Sequence, residues 1–176
     1  MNRLKQYALL SELADQLRRR GSWCGETHIQ KAAYFLQELR KVPLGFEYML
    51  YKHGPFSFDL RDELTAMRAD SFLDLSERGP YGPSLVPTKL SIELRKDYPK
   101  TLEKYCPDIE FVADSLGNRN VAELEKLATA LYVYFQHPSR SQSLRAKALH
   151  DLKPHISTSD SLEAVKQVDA IVERLS

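Results

Sequence analysis

The chain has 176 residues, 43% of them hydrophobic and 28% charged, with a formal net charge of +1. That length suits one domain, or one domain with a helical extension, and the near-neutral charge excludes a global drive toward nucleic acid or acidic membranes. No run of about 18 apolar residues exists, so no transmembrane helix is expected. Lys5, Glu12 and Asp15 interrupt the apolar residues of the N-terminus and no signal-peptide pattern follows, so the expectation is a cytoplasmic protein.

In chain order, residues 3–19 read as an amphipathic helix, with Leu4, Tyr7, Leu10, Leu13, Ala14 and Leu17 on one face. Arg18, Arg19 and Arg20 close it, where cations favour the helix dipole, and Gly21 ends it. A second helix is predicted over 27–40, with Thr27 as N-cap and Gln30 as its capping-box partner. Ile29, Ala32, Ala33, Leu36 and Leu39 form its buried stripe, and Pro43 and Gly45 break the chain after it. The aromatic-rich stretch 46–51 suits a short strand, Gly54-Pro55 reads as the turn that ends it, and Ser57 caps a helix to about Ala69.

Residues 72–87 pattern as a hairpin around a turn-rich loop at 77–83. Thr88 is placed as the cap of a helix through Tyr98, with Leu90 and Leu94 inward, then an interruption at Pro99. The last third reads as helices over 107–116 (Pro107 at its start), 120–136, 141–152 and 160–175, the last capped by Ser159 or Thr158. Val121, Leu124, Leu127, Ala128, Leu131 and Phe135 make the stripe of the 120–136 helix. The fold class expected is therefore mainly α with a small β-hairpin: a core over 1–105 and a C-terminal helical extension over 106–176 packed on it. Cys24 and Cys106 lie far apart and are expected to be free thiols.

Two segments carry a resemblance. His28-Ile29-Gln30-Lys31-Ala32-Ala33-Tyr34-Phe35-Leu36-Gln37 resembles the Gln-Lys helix of Panacea (SocA-like) antitoxin domains and of YwgA-like small bacterial proteins. Leu50-Tyr51-Lys52-His53-Gly54-Pro55-Phe56-Ser57 resembles the aromatic Gly-Pro segment that follows it in those families. The similarity covers roughly residues 4–97, and the YwgA-like version fits better. It implies a mainly helical, Panacea-like fold that works by protein contact, as an antitoxin, as an adaptor acting with a protease, or in phage defence. The implied partner is a toxin, a protease or a subunit of a defence complex, and no cofactor is implied.

The order helix, helix, helix, hairpin also fits a winged helix, so a DNA-binding regulator is the alternative. Its third helix would enter the major groove, yet that helix carries Asp59, Asp62 and Glu63 against Arg61 and Arg68, and acidic residues repel phosphates. The cations available to nucleic acid are Arg18, Arg19, Arg20, Lys31, Lys52 and Arg78. The protein-binding reading rests on a surplus of aromatic residues around the Gly-Pro segment. Its candidate surface is Tyr48, Lys52, His53, Phe56, Phe58 and Asp59, whereas Phe35, Tyr51 and Phe56 are also the natural core residues around the turn. His53 and Asp59 flank the Gly-Pro turn, which would bring an imidazole and a carboxylate toward each other, with no nucleophile beside them. The five histidines show no metal-binding spacing. Tyr132 and Tyr134 lie off the buried stripe of their helix, where they would face a partner or, in a homodimer, a second copy of the chain.

Overall fold

The computed structural model of the chain describes residues 1–77 and 79–175. Its first helix, α1 (Arg3–Arg19), is the central element. The Asn2 side chain caps it by accepting the Lys5 N–H at 2.9 Å, which satisfies one of the orphan donors of a helix start. Ala8, Leu9 and Ser11 are buried along with the expected Tyr7, Leu10, Leu13, Ala14 and Leu17, because α1 is covered on several sides. Leu4, expected inside, is exposed, as it precedes the level at which neighbouring helices cover α1.

The second helix, α2 (Glu26–Tyr34), ends in a π-helical turn, Phe35–Leu39. Its cap differs from the expectation. Gly25, not Thr27, is the N-cap, and His28 reaches back so that Nδ1 accepts the Gly25 N–H at 3.3 Å. Gln30 faces the interior instead of the helix start. A short hairpin follows, β1 (Met49–Tyr51) and β2 (Gly54–Phe56), paired antiparallel with Met49 opposite Phe56 and Tyr51 opposite Gly54. The strand expected over 46–51 is thus shorter, and Gly54-Pro55 lies in β2. The turn itself is Lys52-His53.

Helix α3 (Phe58–Ala69) starts as expected at Ser57, whose Oγ accepts the Leu60 N–H at 3.2 Å, and it buries Leu60, Leu64 and Met67. The second hairpin pairs β3 (Leu73–Ser76) with β4 (Ser84–Pro87). Thr88 caps α4 (Lys89–Asp97), and Ser91 and Leu94 point inward while Leu90 is exposed. On α4 the Arg95 guanidinium is buried between Glu12 and Asp15 of α1, a pairing that a buried cation requires.

The next helix, α5 (Pro99–Leu116), passes straight through Pro107, where the sequence suggested a new start. Proline removes one N–H donor there; Pro107 lies on the exposed side of the helix, where water can satisfy the carbonyl left unpaired. Helices α6 (Val121–Gln136), α7 (Gln142–Leu152) and α8 (Thr158–Glu173) complete the fold, and Ser157, not Ser159 or Thr158, caps α8. The stripe of α6 holds from Leu124 to Leu131, but Val121 and Phe135 at its two ends are exposed. Helix α5 packs on α1, and α6 packs on α2 and β2; α7 and α8 pack on each other and on α6. The protein is mainly helical with two small antiparallel hairpins. Among the described residues, no helix is long and apolar enough to cross a membrane.

Candidate interaction site on the first hairpin

Two glutamines seven residues apart on one helix hold the β1–β2 hairpin by its ends. Gln30 donates from Nε2 to the Ser57 carbonyl at 2.8 Å and accepts the Ser57 N–H at 3.0 Å. Gln37 does the same to Phe46, donating at 2.7 Å and accepting at 2.8 Å. Each amide thus satisfies both backbone groups of one residue outside any ladder, which removes the cost of burying them unpaired. The seven-residue spacing places both side chains on nearly the same helical face.

Lysines secure the hairpin between these ends. Lys31, 1% exposed, donates from Nζ to the Pro55 carbonyl at 2.7 Å. Burial pushes its ammonium down to about 8; nearby Glu125 opposes that push and Lys153 adds to it. Lys153, from the segment after α7, donates to the carbonyls of Tyr51 and Lys52. Glu125 of α6 lies beneath the turn and is buried. Its Oε1 lies 3.1 Å from His155 Nε2 and 3.8 Å from Lys153 Nζ, and its Oε2 lies 3.4 Å from His53 Nδ1. The lysine and the two imidazoles gather around one carboxylate, which supports the turn from below.

Gly54 brings the strand against α6. It has φ of +83°, and a Cβ built on it would lie 2.8 Å from Thr129 Oγ1. Both features call for glycine.

A hairpin so held displays aromatic rings outward. Met49 and Tyr51 of β1 point away from the core, 53% and 45% exposed, while Leu50 between them is half-buried. Tyr51, Phe56 and Phe58 form a triangle with ring centroids 5.7, 5.5 and 5.1 Å apart, spacings at which aromatic rings attract one another. The Arg61 guanidinium lies over the Phe58 ring at 5.0 Å, and Lys52, His53 and Asp59 are exposed around the rim.

This arrangement sorts the sequence-derived candidates. Phe56 and Phe58 come together with Tyr51, while Lys52, His53 and Asp59 are exposed in the turn and at the start of α3. Tyr48 does not join them: its ring packs on Tyr34 at 5.0 Å and its hydroxyl is buried, since it precedes β1 and turns inward. Tyr51, which pattern reasoning assigned to the core, is the exposed centre of the triangle; the period-two alternation of Met49-Leu50-Tyr51 is the signal that places it outside. Phe35 is buried as expected. His53 pairs with Glu125, not with Asp59. Glu125, Lys153 and His155 had no signal of their own, because their role depends on a contact between distant parts of the chain. Among the described residues, no group of three or more His, Cys, Asp or Glu is placed to hold a metal ion.

The cations proposed for nucleic acid do not form one surface. Lys31 is buried under the hairpin. Arg20 pairs with Asp114 and with Gln16, and Arg18 donates to Ser84 Oγ at 2.7 Å. Arg19 and Lys52 are exposed on different elements, and Arg78 lies outside the described residues. Tyr132 and Tyr134 are half-buried against the core, with the Arg145 guanidinium 5.4 Å from the Tyr134 ring. A scan of protein-family models found none that matches the chain, and a search of curated proteins found no match.

Proposed function

We propose that the chain is a non-catalytic protein-interaction module of the antitoxin, adaptor or defence-accessory kind, docking a protein partner on the face of Tyr51, Phe56 and Phe58. One observation carries the reading: exposed Tyr51 and Met49 stand beside the half-buried rings of Phe56 and Phe58, on and next to a hairpin whose backbone is fixed by buried Gln30, Lys31 and Lys153 and half-buried Gln37. Exposed aromatic residues are the usual anchors of protein interfaces, and a pre-ordered loop loses little entropy on binding. The polar groups beneath the hairpin are spent on backbone carbonyls and on one another, which suits support rather than acid–base turnover. The resemblance of the Gln-Lys helix and Gly-Pro segment to Panacea and YwgA-like proteins agrees with this reading, and it names a toxin, a protease or a defence-complex subunit as the partner class.

The test is affinity capture from a lysate at about 0.15 M salt, with and without nuclease, using the wild type and Tyr51→Asp. A stoichiometric protein held by the wild type, resistant to nuclease and lost with Tyr51→Asp, is the expected result. Recovery of nucleic acid, with proteins lost on nuclease treatment, would replace this reading with the DNA-binding regulator.

A further inference from the structure

At the N-terminal end of α2, a cleft of about 960 Å³ opens between the end of α1, the start of α2, the loop before β4 and the start of α6. Its volume is that of a site for a small molecule. The charge around it is unbalanced. Arg20, Arg40, Arg95 and Arg145 each pair with a carboxylate. Arg18 and Arg119, the two half-buried arginines that line the cleft, have none among the described residues. Arg18 is held by the neutral Ser84 hydroxyl, and Arg119 by the Ser115 carbonyl and the Gln167 side chain. A guanidinium has five N–H donors, so each keeps some free. The one acid lining the cleft is Glu26, which is exposed.

The same cleft is lined by two aromatic rings. Trp23 and Tyr81 meet edge to face, with centroids 5.2 Å apart, and the Trp23 indole N–H donates to the Gly82 carbonyl at 2.8 Å, which fixes the ring. Tyr81 is 70% exposed, a large apolar cost for a side chain with nothing to cover it. Although α2 and α6 also begin at the cleft, Asn120 caps α6 with its own side chain, so the two arginines supply the main positive field. A planar aromatic group against Trp23 and Tyr81, joined to an anion within reach of Arg18, satisfies both the rings and the charge.

From this geometry we propose that the cleft binds a nucleotide: the base against Trp23 and Tyr81, the phosphate on Arg18 with Arg119 behind it. The site is separate from the aromatic hairpin, and neither proposal depends on the other.

Trp23 is the chain's single tryptophan, so the one indole N–H signal in a proton–nitrogen NMR spectrum reports the cleft alone. AMP is the probe, with adenosine and inorganic phosphate as separate arms. The expected result is a saturable shift of the indole signal by AMP below about 1 mM, at least about tenfold weaker with either fragment. Arg18→Gln and Tyr81→Ala should each weaken AMP binding by about tenfold while leaving the rest of the spectrum folded. Tyr81→Ala keeps the test usable if Arg18→Gln disturbs the fold, since the exposed Tyr81 ring supports no core. No saturable shift up to about 5 mM AMP would overturn the proposal. So would phosphate acting as well as AMP, or a Tyr81→Ala response equal to that of the wild type.

Discussion

Replacing Gly54 with alanine isolates the contact that seats the hairpin. An L-residue at φ of +83° costs about 1–2 kcal/mol in backbone strain. The new Cβ would also lie 2.8 Å from Thr129 Oγ1 and 3.4 Å from the Glu125 carbonyl. Thr129 is fully buried and donates to that same carbonyl at 2.7 Å, so it cannot swing away without losing its bond, and such overpacking adds about 1–3 kcal/mol. The expected loss is about 2–5 kcal/mol, or a Tm lowered by about 5–15 °C for a chain of this size. Gly21→Ala is the matched control: Gly21 has φ of +84° and nothing within 4 Å of its built Cβ, so it carries the strain alone. The gain from a stiffer unfolded chain is common to both and cancels. Urea melts of both variants, and of Gly54→Ala combined with Thr129→Ala, measure the packing contribution directly. The double variant should show a coupling of about 1–2 kcal/mol. Equal losses for the two glycines, or strict additivity with Thr129→Ala, would refute the close approach of β2 to α6.

Other outcomes follow from the same contacts. Gln30→Leu leaves the buried Ser57 N–H unpaired, while the Ser57 carbonyl keeps the Arg61 N–H at 3.2 Å, and should cost about 1–3 kcal/mol in urea melts; a loss under about 0.5 kcal/mol would show that water replaces the amide. Lys31 carries its pH dependence in a defined direction. Its folded value of about 8 lies below the ordinary 10.5, so between these the unfolded chain holds a proton that the folded one has released. Stability should therefore rise from about pH 8 to pH 9.5, and Lys31→Met should lack that rise, which approaches about 3 kcal/mol at its full extent; parallel profiles would refute it. Comparison with the variant removes the opposing effects of Tyr7 and Cys24, which burial pushes up to about 12. The bidentate Arg145–Asp169 bridge between α7 and α8, at 2.7 and 2.8 Å, holds the Asp169 carboxyl below its usual value. Its contribution is present above the ordinary aspartate range and is lost as pH falls through the lowered value; Asp169→Asn should therefore cost about 1–3 kcal/mol at pH 7 and progressively less in acid.

The most specific sequence feature, a Gln-Lys helix followed by an aromatic Gly-Pro segment, has a direct physical meaning. Gln30 bonds Ser57 and Lys31 bonds Pro55, so the two motifs are the two halves of one contact. Helix spacing was legible for α3 and α6 because one face of each is buried at regular intervals, and for α1 it marked only part of what is buried, since that helix is covered on several sides. It misplaced Leu4, Val121 and Phe135, which lie where neighbouring helices stop covering the periodic face. Pro107 misled for a local reason: its missing N–H is tolerated where the opposite carbonyl meets water. The Lys52-His53 turn escaped notice because Gly-Pro is the stronger turn signal, yet Gly54 is required here for its left-handed φ and its contact with α6. Glu125 and Lys153 reach the hairpin from positions about 70 and 100 residues away in sequence, and no local pattern announces such contacts.

The most direct test of the interaction site places a photo-crosslinking amino acid at Met49, beside the aromatic triangle, and another at Leu144 of α7, equally exposed at 53%. Irradiation of cells producing each variant should give one discrete protein adduct from position 49 and none from position 144. Adducts of the same protein from both positions, or from 144 alone, would contradict the assignment of the hairpin as the docking face.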